Sequence, residues 1–190
     1  MAESVSGMSF QQAKSLLDID RGFYRYYVIP ESVNDIAPCS FSGCYFLASV
    51  IIHEGVKKIG YWAFEGCKSL KSVEIHEGVQ TIGFGAFEGC SSLTSVSIPK
   101  SVTEIEEGTF CNCSSLKSLT IPESVIAIRN YAFCDCSSLT SVVIPEGVKE
   151  IGNEAFENCP NLTIHAPAGS YAEEYSKEHN IPFQPLEEEK

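Results

Sequence analysis

Ile98 to Thr120 reads IPKSVTEIEEGTFCNCSSLKSLT, and the next 23 residues, Ile121 to Val143, read IPESVIAIRNYAFCDCSSLTSVV. The two stretches agree column by column, and the agreement extends in both directions. Phe41, Phe64, Phe87, Phe110, Phe133 and Phe156 are spaced by 23, as are Cys44, Cys67, Cys90, Cys113, Cys136 and Cys159. Ile29, Ile52, Ile75, Ile98, Ile121 and Ile144 keep the same step. A period of this size marks a solenoid, whose units bury their apolar faces only against their neighbours.

Within one unit the periodicity assigns roles. Val102, Ile105, Leu116 and Leu119 head further apolar columns, and a small residue precedes each Phe (Ser40, Ala63, Ala86, Thr109, Ala132, Ala155), leaving room for the ring. Val96-Ser97-Ile98 alternates as a short strand does, and Pro99 ends the ladder. Stacked copies predict a parallel sheet rising roughly 4.8 Å per repeat, with a second short extended piece between Val102 and Ile105. The Ala-Phe-x-x-Cys stretch is expected on the opposite side as a turn or short helical segment.

The 190 residues suit one domain. A net charge of −12 argues against nucleic acid, which needs clustered Lys and Arg, and against anionic membranes. No apolar run approaches the roughly 20 residues of a membrane-spanning helix. Met1 to Phe10 (MAESVSGMSF) does not read as a signal peptide. The nine cysteines would suggest disulfides in a small secreted domain, but six of them share one register position. There a thiol serves as a small buried hydrophobe whose S–H reaches a turn carbonyl.

The combined pattern F-x-x-C-x-S-L-x-S-V-x-I-P-x-S/G-V-x-x-I, running over about residues 24 to 166, resembles the BspA-like leucine-rich repeats of bacterial and protist proteins. The resemblance implies an α/β-type, right-handed leucine-rich repeat solenoid. Its parallel β-sheet would lie on the concave face, with turns or short helical segments on the convex side and capped ends. It also implies a secreted or cell-surface adhesin that binds a protein or glycan, such as a host matrix protein. The alternative is an intracellular or spacer scaffold. The domain boundaries expected are a cap at 1–23, six repeats at 24–166, and a capping helix with an acidic tail at 167–190.

Candidate functional residues lie where the copies differ. Tyr61, Trp62 and Phe84 replace polar or small residues, with Gly85 and Gly108 leaving space beside the indole, and aromatic residues anchor interfaces disproportionately. The competing account is local packing over those glycines. Ser49, Ser72, Ser95, Ser118 and Ser141 form an outward strand column, of which Ser72, Ser95 and Ser118 are the candidate contacts. The simpler account is that Ser suits a crowded strand surface. His53-Glu54 and His76-Glu77 stack one repeat apart as weak metal candidates, against the simpler view that His replaces Pro at a solvated strand end.

Cys111/Cys113 and Cys134/Cys136 superficially resemble four zinc ligands, but Cys113 and Cys136 are expected inside and Cys111 and Cys134 exposed, so the four should not converge. Cys111 and Cys134 then remain as exposed thiols within disulfide reach of each other. Glu106 and Arg129 are expected to pair between rungs. No nucleophile–base set, paired carboxylates or phosphate loop is recognisable, so neither catalysis nor a cofactor is expected; GFGAFEG at 83–89 consists of turn glycines. Ser170 and Glu173 have capping-box spacing, predicting a helix to about His179, with Asn180 stopping it and Ile181 and Phe183 covering the last rung.

Overall fold

The computed structural model describes residues 26–186. The cap expected at 1–23, with its helix over Gln11 to Leu17, lies outside those residues, as do Tyr24 and the tail from Glu187. One strand series consists of β1 (Tyr26–Val28), β3 (Ser49–Ile52), β5 (Ser72–Ile75), β7 (Ser95–Val96), β9 (Ser118–Thr120), β11 (Ser141–Val143) and β13 (Thr163–Ala166), giving seven rungs. A second series of two-residue strands consists of β2 (Asp35–Ile36), β4 (Lys58–Ile59), β6 (Thr81–Ile82), β8 (Glu104–Ile105), β10 (Ala127–Ile128) and β12 (Glu150–Ile151). All pairings are parallel, and rungs bearing full repeats pair at the sequence period, Ser49 beside Ser72 and Val142 beside Leu119. The chain is a parallel β-solenoid.

The core is the set of repeated columns. Phe41, Phe64, Phe87, Phe110 and Phe133 are fully buried and stack almost face-parallel with Phe156, at successive centroid spacings of 4.9, 5.2, 5.6, 5.5 and 5.3 Å. Tyr27 closes one end of the stack at 5.5 Å and Tyr175 meets Phe156 edge-on at 6.1 Å. The cysteine column runs beside it. Cys67, Cys90, Cys113, Cys136 and Cys159 each donate an S–H to the carbonyl of the Phe 26 residues earlier, at 3.1 to 3.3 Å. Burial pushes the Cys90 thiol up to about 12 and Cys159 up to about 11, and raises Cys67, Cys113 and Cys136 as well.

The side opposite the sheet is built from turns, and helical segments are absent from it among the described residues. In the second rung Trp62, Phe64 and Gly66 donate N–H to Phe84, Ala86 and Glu88 of the next rung, at 2.9, 2.8 and 2.7 Å. The intervening Ala63, Glu65 and Cys67 donate to the carbonyl three residues back, each at 3.2 Å. Alternate amides thus serve the neighbouring rung, whereas an α-helix would satisfy all of them internally. Left-handed residues enforce the alternation. Gly43, Gly66, Gly89, Asn112, Asp135 and Asn158 form one such column, with φ between 56 and 69°. Cys39, Trp62, Gly85, Gly108 and Tyr131 form a second, with φ between 52 and 63°.

Both strand ladders are interrupted in mid-molecule. The first series pairs as β1-β3-β5-β7 and, after a gap, as β9-β11-β13 with a further strand β14 (Phe183–Pro185); the second pairs as β2-β4-β6 and β8-β10-β12. Across the gaps Ser101 Oγ donates to Val79 O and Ser124 Oγ to Val102 O, both at 2.7 Å, and Lys100 N–H donates to the Glu77 carboxylate at 3.0 Å. The turn side stays joined there, Phe87 N–H to Thr109 O at 2.9 Å and Gly89 N–H to Cys111 O at 2.8 Å.

Helix α1 (Tyr171–Glu178) buries Ala172, Tyr175 and Ser176 at the C-terminal end. The expected capping box does not form. The Glu173 carboxylate accepts the N–H of Gly169 at 2.6 Å, one residue ahead of the N-cap, and Ser170 Oγ is buried without a hydrogen-bond partner. Lys177 pins that carboxylate at 2.6 Å from the next turn, which draws it past the N-cap amide. Asn180 adopts φ 56° after the helix, and Ile181 and Phe183 pack against the core, with Phe183 pairing beside Ile164 in β14.

Candidate functional site

On the sheet face, outward side chains alternate with core residues. Ser72, Ser95 and Ser118 are exposed and Ser49 and Ser141 half-buried, with Ser72 Oγ donating to Ser49 Oγ at 3.0 Å. Beside the ladder gap the face dips into an open groove of about 560 Å³, lined by Ser72, Glu74, His76, Ser95 and Ser97 with Val73 and Val96 at its floor. Val96 is only half-buried where its counterparts Val50 and Val142 are fully buried, because no strand follows β7 in the ladder. Two of the three candidate serines, Ser72 and Ser95, therefore share this groove, and Ser118 lies outside its lining. The polar groups it offers are three hydroxyls, the carboxylates of Glu74 and Glu77, and one imidazole. His76 Nε2 sits 3.0 Å from Glu74 Oε1.

The two histidines do not come together. His53 is buried, its Nδ1 accepting from Gly55 N–H at 3.1 Å while Nε2 donates to Pro30 O at 3.0 Å. Both ring nitrogens are thereby occupied and fix the neutral tautomer; Glu31, at 3.5 Å and almost fully exposed, adds little. His53 takes over at a strand end that carries Pro in other copies, and its ring stitches two rungs together.

Tyr61 and Trp62, in the turn after β4, and Phe84, in the turn after β6, form one aromatic cluster. Trp62 meets both partners edge-to-face, Tyr61 at 5.5 Å and Phe84 at 5.0 Å, and Tyr61 is 48% and Phe84 37% exposed. Gly85 carries the indole: a Cβ there would lie 2.5 Å from Trp62 Cδ1, whereas Gly108 faces only Gly85. Packing over a glycine and surface display are thus both realised, since Trp62 is held while its flanking rings remain open to solvent.

The thiols depart from expectation. Cys134 is buried at 6% exposure and Cys111 is half-buried, because their column lies against the turn of the next rung. Cys113 and Cys136 point into the core as expected. Cys134 donates its S–H to Asp135 Oδ2 at 3.1 Å, and no disulfide joins any described pair.

Arg129 pairs with Glu104 and Glu150, at 2.8 and 2.7 Å, and not with Glu106. Glu104 and Glu150 occupy one column two rungs apart, with Ala127 between them in the parallel register, so the guanidinium reaches both across the small residue. That acidic pair flanking Ala127 was legible in the repeat register.

Among the described residues no helix is long and apolar enough to cross a membrane. The family pattern described as BspA type leucine rich repeat region, in six copies, matches residues 24–125 and 64–171. Among solved structures, a leucine-rich repeat protein from Bacteroides ovatus is 31% identical with a TM-score of 0.74, covering 85% of this chain and 42% of its own. The leucine-rich repeat protein of T. pallidum is 28% identical with a TM-score of 0.74, covering 85% of this chain and 86% of its own. A leucine rich cell surface protein from Faecalibacterium prausnitzii is 31% identical with a TM-score of 0.55, over 78% of this chain and 33% of its own. The chain thus spans less than half the length of two of these three. No protein of curated function matches.

Proposed function

This chain belongs to the BspA-type leucine-rich repeat family, and we propose that it is a non-catalytic module that binds a protein or glycan on its sheet face. The observation that carries the reading is the groove of about 560 Å³ at the ladder gap, where Ser72, Ser95, Ser97, Glu74 and His76 converge over an apolar floor. Hydroxyls beside carboxylates and an imidazole match the dense donor–acceptor pattern of a sugar or an extended peptide backbone. Tyr61 and Phe84 supply a second, aromatic contact held rigid through Trp62, the kind of anchor that dominates interface energetics. The Faecalibacterium neighbour is a cell surface protein, which supports display outside the cell; an adhesin-like role toward matrix proteins or other cells is part of the proposal.

The test is saturable binding to arrays of glycans and matrix proteins. Ser95→Arg, which fills the groove from an exposed position, and the double change Tyr61→Ala with Trp62→Ala should each weaken binding at least tenfold, about 1.4 kcal/mol, with the circular dichroism spectrum unchanged. Binding that survives both variants overturns the assignment of the face.

A further inference from the structure

The Sγ atoms of Cys111 and Cys134 and a carboxylate oxygen of Asp135 lie within 4.8 Å of one another, on the turn side and away from the groove. From this convergence of two thiols and a carboxylate we infer that Cys111, Cys134 and Asp135 form a binding site for a thiophilic divalent cation such as Zn²⁺ or Cd²⁺. Three protein ligands leave one position for water.

Adjacent rungs build the site. Cys111 and Cys134 occupy one column, the two sulfurs face each other within 4.8 Å, and Cys134 already donates to Asp135 Oδ2 at 3.1 Å. Asp135 stands in the left-handed column (φ 57°), where its backbone amide donates to Glu157 O at 2.8 Å. Asn158 Nδ2 holds the other carboxylate oxygen at 3.0 Å, the kind of outer partner that orients a ligand. Asn112 Nδ2 donates to Cys111 Sγ at 3.2 Å.

Sulfur–zinc bonds of about 2.3 Å and oxygen–zinc bonds of about 2.1 Å require sulfurs roughly 3.8 Å apart in a tetrahedral site, so the observed cluster closes with side-chain shifts alone. Glu88, close enough to Cys111 to act on its thiol, adds negative charge that favours a cation. Coordination releases both thiol protons to solvent and changes no oxidation state. Cys111 is half-buried, which gives an ion its path in.

The experiment titrates the reduced, metal-free protein with Zn²⁺ against a chromophoric chelator, and with Cd²⁺ while following the ultraviolet thiolate-to-metal band. One equivalent is expected. Cys111→Ser and Cys134→Ser should each weaken it at least tenfold and reduce the cadmium band, Asp135→Asn should weaken it while keeping the band, and Cys90→Ala should leave it unchanged. Because Cys134 is buried and its replacement perturbs the fold as well as the site, Cys111→Ser and Asp135→Asn carry the decision alone. Absence of stoichiometric uptake by the reduced protein overturns the site, as does uptake insensitive to Cys111→Ser. A protein that instead closes a Cys111–Cys134 disulfide in air and takes up no ion after reduction overturns it too.

Discussion

Phe110→Ala tests whether the ring stack couples the two halves of the solenoid. Phe110 is fully buried, with near-parallel neighbours at 5.6 and 5.5 Å, and it lies in the repeat where both strand ladders are interrupted. Truncating a buried Phe to Ala costs about 3–5 kcal/mol through lost burial and the cavity left behind. Here two ring contacts vanish together, each worth about 0.5–1.5 kcal/mol beyond area, so the upper end, about 4–5 kcal/mol, is expected. In a nearest-neighbour stack that loss falls on the coupling between rungs. At each boundary of this rung a single ladder remains, β5 with β7 on one side and β8 with β10 on the other, beside the turn-side hydrogen bonds and a few serine bridges.

The assay is urea unfolding followed by two probes. Far-ultraviolet circular dichroism reports all rungs, while fluorescence of Trp62, the single tryptophan, reports the N-terminal half alone. The wild type should give coincident curves and Phe110→Ala separated ones, the loss of coincidence being the mark of broken two-state behaviour. Phe156→Ala is the comparison: its ring has one parallel neighbour at 5.3 Å and the edge of Tyr175 at 6.1 Å, so a smaller loss with coincident curves is expected. A cost for Phe110→Ala below about 1.5 kcal/mol, within the range of tolerated swaps, or curves that stay superimposed, would refute the coupling argument.

Alkaline pH should destabilise the fold. Buried Cys90 and Cys159 hold their protons up to about 12 and 11, whereas unfolded thiols release theirs near about 8.5. The unfolded state then binds fewer protons, so the melting temperature should be flat to about pH 8 and fall steadily above it, and an increase above pH 9 would contradict the buried ladder. Gly85→Ala should cost about 2 kcal/mol and red-shift Trp62 emission, combining a left-handed φ of 56° with the collision against the indole, while Gly108→Ala pays only the backbone part. Native thiol labelling should reach Cys39 and Cys111 first and Cys67, Cys90, Cys113 and Cys136 last; rapid modification of all nine would contradict their burial. Arg129→Ala should lower stability by no more than about 1 kcal/mol, an effect that 1 M salt largely removes, because its partners are half-exposed.

The columns that never vary were legible because burial in a solenoid repeats with the sequence. Phe, Cys, Ile, Val and Leu recur in register, and each thiol's carbonyl acceptor followed from geometry that repeats with them. The turn side was misjudged where helical segments were allowed. The left-handed column of Gly66, Gly89, Asn112 and Asp135 announces turns, but its neighbour hides the same φ under Cys39, Trp62 and Tyr131, residues that give no such signal. The capping box failed because Glu173 had a closer choice, the Gly169 amide, with Lys177 fixing its direction. The ladder gap carries no sequence mark beyond Ser101 and Ser124, whose hydroxyls substitute for backbone pairing.

Most of the irregular positions that make a contact share it with the rung above or below. Trp62 stands on Gly85, Ser72 Oγ bonds Ser49 Oγ, Cys111 faces Cys134, and Arg129 spans from Glu104 to Glu150. The reason is geometric. In a parallel stack the nearest spatial neighbour of an outward side chain is the same column one repeat away, closer than any residue along its own strand on that face. A substitution in one copy therefore finds its partner about 23 residues on. A single copy, read alone, shows only an odd residue; two adjacent copies show a contact. Chemistry in such a fold arises between rungs, so candidate sites are found by comparing neighbouring copies in register and not by scanning for a contiguous motif. The pair Cys111 and Cys134 meets that condition, with Asp135 adding a third ligand from the adjoining left-handed column.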